Sequence, residues 1–227
     1  MERVFRDRHE AGYVLAAKLD QYRQDRNQLV LALPRGGVPV GYEVATTLDA
    51  PLDVFLVRKL GVPGHRELAM GAIASGGVRV MNDEVVNELH IPEAMIEATA
   101  EAEQRELERR ERAYRGDRPP PELRGRSIIL VDDGLATGST MKAAALALRS
   151  QNPARIVVGV PVAAPETCES FRAEVDDIVC AVTPEPFYAV GLWYEDFSPT
   201  TDDDVSDLLA RARARETDRR EKARPAA

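Results

Sequence analysis

Long apolar runs are missing from this chain of 227 residues; the longest fall far short of the roughly 20 needed to cross a bilayer. The opening segment, MERVFRDRHE, is charged where a signal peptide is apolar. Both absences point to a cytoplasmic protein with no membrane partner. Cysteine is scarce too: Cys168 and Cys180 show no metal-type spacing and are expected to be core or neutral surface thiols. Positive charge is not in excess, since 30 Lys and Arg stand against 38 Asp and Glu, for a net charge of −8 and a pI near 5.1. That balance removes any general attraction for nucleic acid. No repeat recurs at a fixed period, and aromatics make up only 5%. What remains is a chain 44% hydrophobic, long enough to bury one full core.

Its patterning alternates helical and extended segments. Asp7-x-x-Glu10 reads as a capping box ahead of Ala11, Leu15 and Leu19, which fall on one helical face. Short apolar runs at 28–33, 52–57, 78–81, 127–131, 155–160 and 177–182 read as strands, with helical stretches between them. The expected fold is α/β, an open parallel sheet with crossover helices. One domain over residues 1–209 carries a long helical insertion at 83–126. There Pro92 opens a helix in which Glu101 faces Arg105, Glu106 faces Arg110 and Glu108 faces Arg112. Its thin apolar stripe, Ile96, Ala100, Leu107 and Tyr114, suits a helix lying across the domain or against a second subunit. Residues 210–227 are highly charged and read as a fraying helix and a disordered tail.

The chemistry concentrates in VDDGLATGSTM, residues 131–141. A strand that ends in Asp132 and Asp133 presents acceptors suited to vicinal hydroxyls. Gly134 and Gly138 free the backbone to turn, and Ala136, Thr137, Ser139 and Thr140 then lead into a helix N-terminus, a natural anion site. Carboxylates beside an anion site fit a phosphorylated sugar. A nucleotide-triphosphate loop is excluded, because three residues separate the glycines and no lysine follows the second. The dinucleotide fingerprint is excluded as well, since these acids precede the glycines.

The segment resembles the phosphoribosyl-pyrophosphate (PRPP) signature of the type I phosphoribosyltransferases, and the resemblance extends over roughly residues 28 to 200. It implies that Asp132 and Asp133 bind ribose hydroxyls and that Gly134 and Ala136 to Thr140 bind the 5-phosphate. Mg²⁺ would be the cofactor, held through PRPP. Pro34-Arg35-Gly36-Gly37 matches the family's pyrophosphate loop, where two glycines let the backbone approach an anion and Arg35 supplies donors. Arg58-Lys59, with the Gly/Pro-rich stretch to Gly77, resembles a catalytic lid that would place both cations near the departing charge. His65, Arg66 and Glu67 would be lid residues, His65 being either a pyrophosphate contact or a solvated histidine. A C-terminal hood is expected at 184–203, where Phe187, Tyr188, Trp193, Tyr194 and Phe197 cluster beside Glu195 and Asp196. Phe187 and Trp193 either stack on a planar acceptor or build a small aromatic core.

The implied activity is transfer of ribosyl 5-phosphate from PRPP to a nitrogen acceptor with release of pyrophosphate, in a protein expected to form a homodimer. A non-catalytic PRPP sensor is the alternative. The family's hypoxanthine and guanine enzymes carry an aspartate where this chain has Ala136, and a lysine before the hood where residues 178–186 have none. A 6-oxopurine acceptor is therefore disfavoured.

Overall fold

The computed structural model describes residues 4–222, with side chains at all of them except 65–67, 220 and 222. Helix α1 (Arg8–Lys18) precedes strand β1 (Gln28–Ala32), helix α2 (Gly37–Leu48) and strand β2 (Leu52–Val54). The capping box forms almost as expected. Asp7 accepts from the Glu10 amide at 2.8 Å, but Glu10 reaches back to the Arg6 amide at 2.7 Å, one residue before the cap.

The chain next folds a hairpin and a third strand, β3 (Val57–Val62), β4 (His65–Ala74) and β5 (Val78–Met81), followed by helices α3 (Asp83–Glu88) and α4 (Glu93–Arg115). It then returns through β6 (Ser127–Val131), α5 (Ser139–Arg149), β7 (Arg155–Val162), α6 (Pro165–Ser170), β8 (Asp177–Val182) and α7 (Asp202–Lys222).

Five strands build a sheet in the order β2-β1-β6-β7-β8, every pair parallel. All five residues of β1 are buried, as a central parallel strand covered on both faces requires. Successive side chains point to opposite faces. Val30 and Ala32 therefore join α1, α2 and α7 in one core, while Leu29 and Leu31 join Ile128, Leu130 and Leu148 in the other. The register sets Ala32 opposite Val131, so the loops leaving β1 and β6 emerge side by side at the carboxyl edge.

Five expectations change here. Val78–Met81 belongs to a separate antiparallel sheet, β3-β4-β5, and not to the parallel one. The second strand stops at Val54, so Arg58 and Lys59 lie within β3 instead of at a parallel strand's end. The Gly/Pro-rich stretch after them is largely extended, with Gly64 at φ +84° in the turn of a hairpin.

The segment read as a fraying helix and a disordered tail is helical as far as Lys222. Val205, Leu208, Leu209 and Ala212, spaced i, i+3, i+4, i+7, face the core on α7, which packs on α2, α4 and β2. The remainder of that segment, 223–227, lies outside the described residues. Finally, Cys168 and Cys180 are not thiols. Packing of α6 beside β8 brings their Cα atoms to 6.6 Å, and they form a disulfide.

The long helix is capped by Pro92 and buries the stripe Ile96, Ala100, Leu107 and Tyr114 against β3, β4 and α7, so it lies across the domain. Glu101–Arg105 and Glu106–Arg110 pair at 3.9 and 2.7 Å, whereas Glu108 accepts from Gln104 and not from Arg112. Among the described residues no helix is long and apolar enough to cross a membrane.

Candidate active site

The two loops that leave β1 and β6 are packed into each other. Leu33 N–H donates to the Val131 carbonyl at 2.9 Å, extending the ladder one step past β1, and the chain then turns through Pro34-Arg35, joined by a cis peptide bond. A Cβ at Gly36 would overlap the Asp133 carboxylate, and one at Gly37 would lie 2.9 Å from the Asp132 Cα. The glycines thus make room for the acid pair itself, where the sequence suggested only room for a ligand. Arg35 is exposed, its guanidinium 3.9 Å from Asp202 at the start of α7.

Asp132 and Asp133 share a confined, low-dielectric position. Burial pushes the Asp132 carboxyl well above its ordinary value, and the charge of Asp133 adds to that shift. Burial raises Asp133 also, against the pull of Arg8, whose Nε donates to Asp133 Oδ2 at 2.9 Å. The Asp133 amide donates to Asp132 Oδ1 at 2.8 Å, and Asp133 Oδ1 carries no hydrogen bond among the described residues. The pair therefore keeps acceptor capacity for a hydroxylated ligand.

Beyond the acids the chain forms the turn into α5. Gly138, at φ +73°, is its N-cap; a side chain there would be strained and would meet the Phe171 ring at 2.5 Å. Thr137, Ser139 and Thr140 are exposed around the helix N-terminus, whose unpaired amides and dipole favour an anion. Lys59 reaches this turn from β3, donating from Nζ to Ser139 Oγ at 2.7 Å. Arg58 does not reach it: its Nε donates to Glu103 of α4 at 2.6 Å. The turn is braced from behind, since Thr167 of α6 donates to the Ala136 carbonyl at 2.6 Å. Thr167 carried no sequence signal, because a hydroxyl bonding a backbone carbonyl follows no motif.

The hood is made from two distant segments. Phe5 N–H donates to the Trp193 carbonyl, Glu195 N–H to Phe5 and Asp196 N–H to Arg6, at 2.8 to 2.9 Å. Phe5, Ala11, Val162 and Tyr194 form a small core against which Phe187 and Trp193 pack. Trp193 Nε1 is buried there with no hydrogen-bond partner. Tyr194 Oη donates to the Asp133 carbonyl at 2.5 Å, and Val190 fills the space left by Gly134, so the hood rests on the acid-bearing loop. Tyr188 projects outward, 79% exposed. Residues 65–67 lie on β4, and the side chains named there as lid residues fall outside the described ones.

The structure thus brings together Arg35 to Gly37, Asp132 to Thr140 and Lys59, and sends Arg58 elsewhere. It also adds Arg8, Tyr194 and Thr167 around them. Two proteins named "Putative phosphoribosyl transferase", from two strains of Mycobacterium tuberculosis, are each 45% identical over 210 residues, covering 92% of this chain and 47% of theirs. The chain therefore spans about half the length of those curated relatives. A crystal structure of a Thermus thermophilus protein is 41% identical, covers 92% of this chain and 99% of its own, and superposes with a TM-score of 0.82. The family model described as the phosphoribosyl transferase domain matches residues 9–188, and on that match the chain belongs to the phosphoribosyl transferase family.

Proposed function

We propose that the chain transfers ribosyl 5-phosphate from PRPP to a nitrogen acceptor, with pyrophosphate leaving. One observation carries the reading: a half-buried acid pair, a glycine loop packed on it and a hydroxyl-lined helix N-terminus stand at adjoining strand ends. These are the three chemistries that PRPP needs. The acids accept from the ribose hydroxyls, Thr137 to Thr140 with Lys59 hold the 5-phosphate, and Arg35 to Gly37 take the pyrophosphate. Cleavage of the anomeric C–O bond builds oxocarbenium character on the sugar, and the acid pair beneath it offsets that charge.

Mg²⁺ bound with PRPP would neutralise charge on the leaving group, with Asp132 and Asp133 orienting the ribose hydroxyls beside it. Among the described residues no three His, Cys, Asp or Glu side chains converge as a cation cage.

Lys59 is the cation that reaches the phosphate turn; Arg58 serves as the strut that ties β3 to α4. The acceptor would enter beneath the hood. Ala136 offers only a methyl group where a ring-nitrogen proton would have to be taken, and residues 178–186 supply no lysine for a 6-oxo group. Hypoxanthine, guanine and xanthine should be turned over negligibly, with adenine-like or non-purine acceptors ahead of them.

Incubation with PRPP, Mg²⁺ and a panel of bases and amines, following pyrophosphate, tests the reading. Release with one acceptor supports transfer; binding of PRPP with no release from any acceptor would make the chain a PRPP sensor. A kcat/KM for guanine of roughly 10⁴ M⁻¹s⁻¹ or more would overturn the exclusion and point to Glu195 or Asp196 as the base. We propose a cytoplasmic homodimer as the working form.

A further inference from the structure

Arg8 opens α1, where a cation sits at the wrong end of the helix dipole. Its side chain is only 11% exposed. Nε donates to Asp133 Oδ2 at 2.9 Å, Nη1 donates to the Ser198 carbonyl at 2.8 Å, and the guanidinium lies 3.9 Å from the Phe197 ring centroid and 5.9 Å from that of Tyr194. Gly36 lies against the same pair: a Cβ there would overlap Asp133 Oδ2 and lie 3.2 Å from Arg8 Nε. Oδ2 is thereby held by the guanidinium and crowded by the glycine loop, while Oδ1 accepts from no other side chain among the described residues.

Building on the PRPP reading above, we infer that Arg8 is a positioning residue that keeps Asp133 ionised and aimed, leaving Oδ1 for a ribose hydroxyl, and ties that carboxylate to the hood through Ser198 and Phe197. The groups facing Asp133 are Arg8 from α1, Asp132 from its own loop and Tyr194 from the hood; Arg8 is the cation among them. Remove it and two carboxyls share a buried site with no counter-charge, so one takes up a proton and ceases to be a full acceptor. Only a planar fork can bond carboxylate and carbonyl and also stack on a ring, so lysine should replace the charge but not the whole geometry.

The test titrates the aspartate carboxyl carbons by NMR and measures PRPP affinity by calorimetry with Mg²⁺, from about pH 7 to about pH 9, where the ligand's phosphates are already ionised. In Arg8→Met the carboxyl pair should titrate at higher pH than in the unsubstituted protein. PRPP affinity at the lower pH should fall by about tenfold to a hundredfold and recover as the pH rises. Arg8→Lys should restore most of it. Should Arg8→Met not fold, Arg8→Gln keeps a donor without the charge and carries the same comparison.

An unmoved carboxyl titration, or an affinity loss equal at every pH, overturns the inference and leaves Arg8 as a hood clamp. Failure of the unsubstituted protein to bind PRPP sinks the transfer reading instead, and the carboxyl titration still decides what Arg8 does to Asp133.

Discussion

The loop after β1 and the hairpin of β3 and β4 meet the signature turn from two sides, and they are built in opposite ways. The loop is packed on the acids: its glycines leave no room for a side chain beside Asp133 and Asp132, Arg8 closes over Asp133, and the hood rests on the acid-bearing loop through Tyr194 and Val190. The hairpin reaches the turn through Lys59, an exposed side chain, while its tip at Pro63 and Gly64 stands in solvent. The first region holds its chemistry by close packing, so small changes in volume should be felt at the acids. The second holds it by one flexible side chain in water, so changes there should be mild.

The sharpest way to break this contrast is Gly36→Val. Its Cβ overlaps the Asp133 carboxylate, so the acid and its arginine must move, and turnover should fall below detection while the protein still unfolds cooperatively. A variant of normal activity would show that the loop gives way and is not packed solid.

A smaller effect is expected from Asp133→Asn, which keeps the shape and loses the charge. PRPP should bind more weakly by about 1.5 to 3 kcal/mol, read by calorimetry with Mg²⁺. Unchanged affinity would remove the main support for the acid pair as the ribose site.

On the hairpin side, Lys59→Met should raise the KM for PRPP by roughly two- to fivefold with no change in melting temperature. A loss as large as that at Asp133 would mean that the hairpin closes on the substrate and that the contrast vanishes on binding. Least affected should be Arg58→Met. Its partner is Glu103, so activity should stay within about threefold of the unsubstituted protein and any cost should appear in stability.

The same contrast explains which parts of the molecule could be read from the sequence. The strand, acids, turn and helix of residues 127–149 are contiguous, and each step has a local cause, so the element was legible. So was the stripe on α4, because a period of 3.6 needs no knowledge of the partner. Arg8 was not, since its carboxylate lies 125 residues away and nothing local marks it except a cation at a helix's positive end. Val78–Met81 reads as a strand in any sheet, and only the hairpin before it decides which one. The disulfide depends on α6 packing beside β8, which composition cannot report. The helical face of α7 was visible at Val205, Leu208, Leu209 and Ala212 but was masked by the charge around it.

The seam that joins residues 5 and 6 to residues 193–196 bears on how the protein is made. Arg8 and Ser198, which meet beneath that seam, are 190 residues apart. At a synthesis rate of about 5–20 residues per second, the early segment waits roughly 10–40 s for its partner to leave the ribosome. Through that interval the sheet can assemble strand by strand, but the acid pair has neither its cover nor the tyrosine that holds its loop. Truncated nascent chains that stop short of Tyr194 should therefore be compact yet bind PRPP weakly, so that competence arrives only once that residue has left the ribosome.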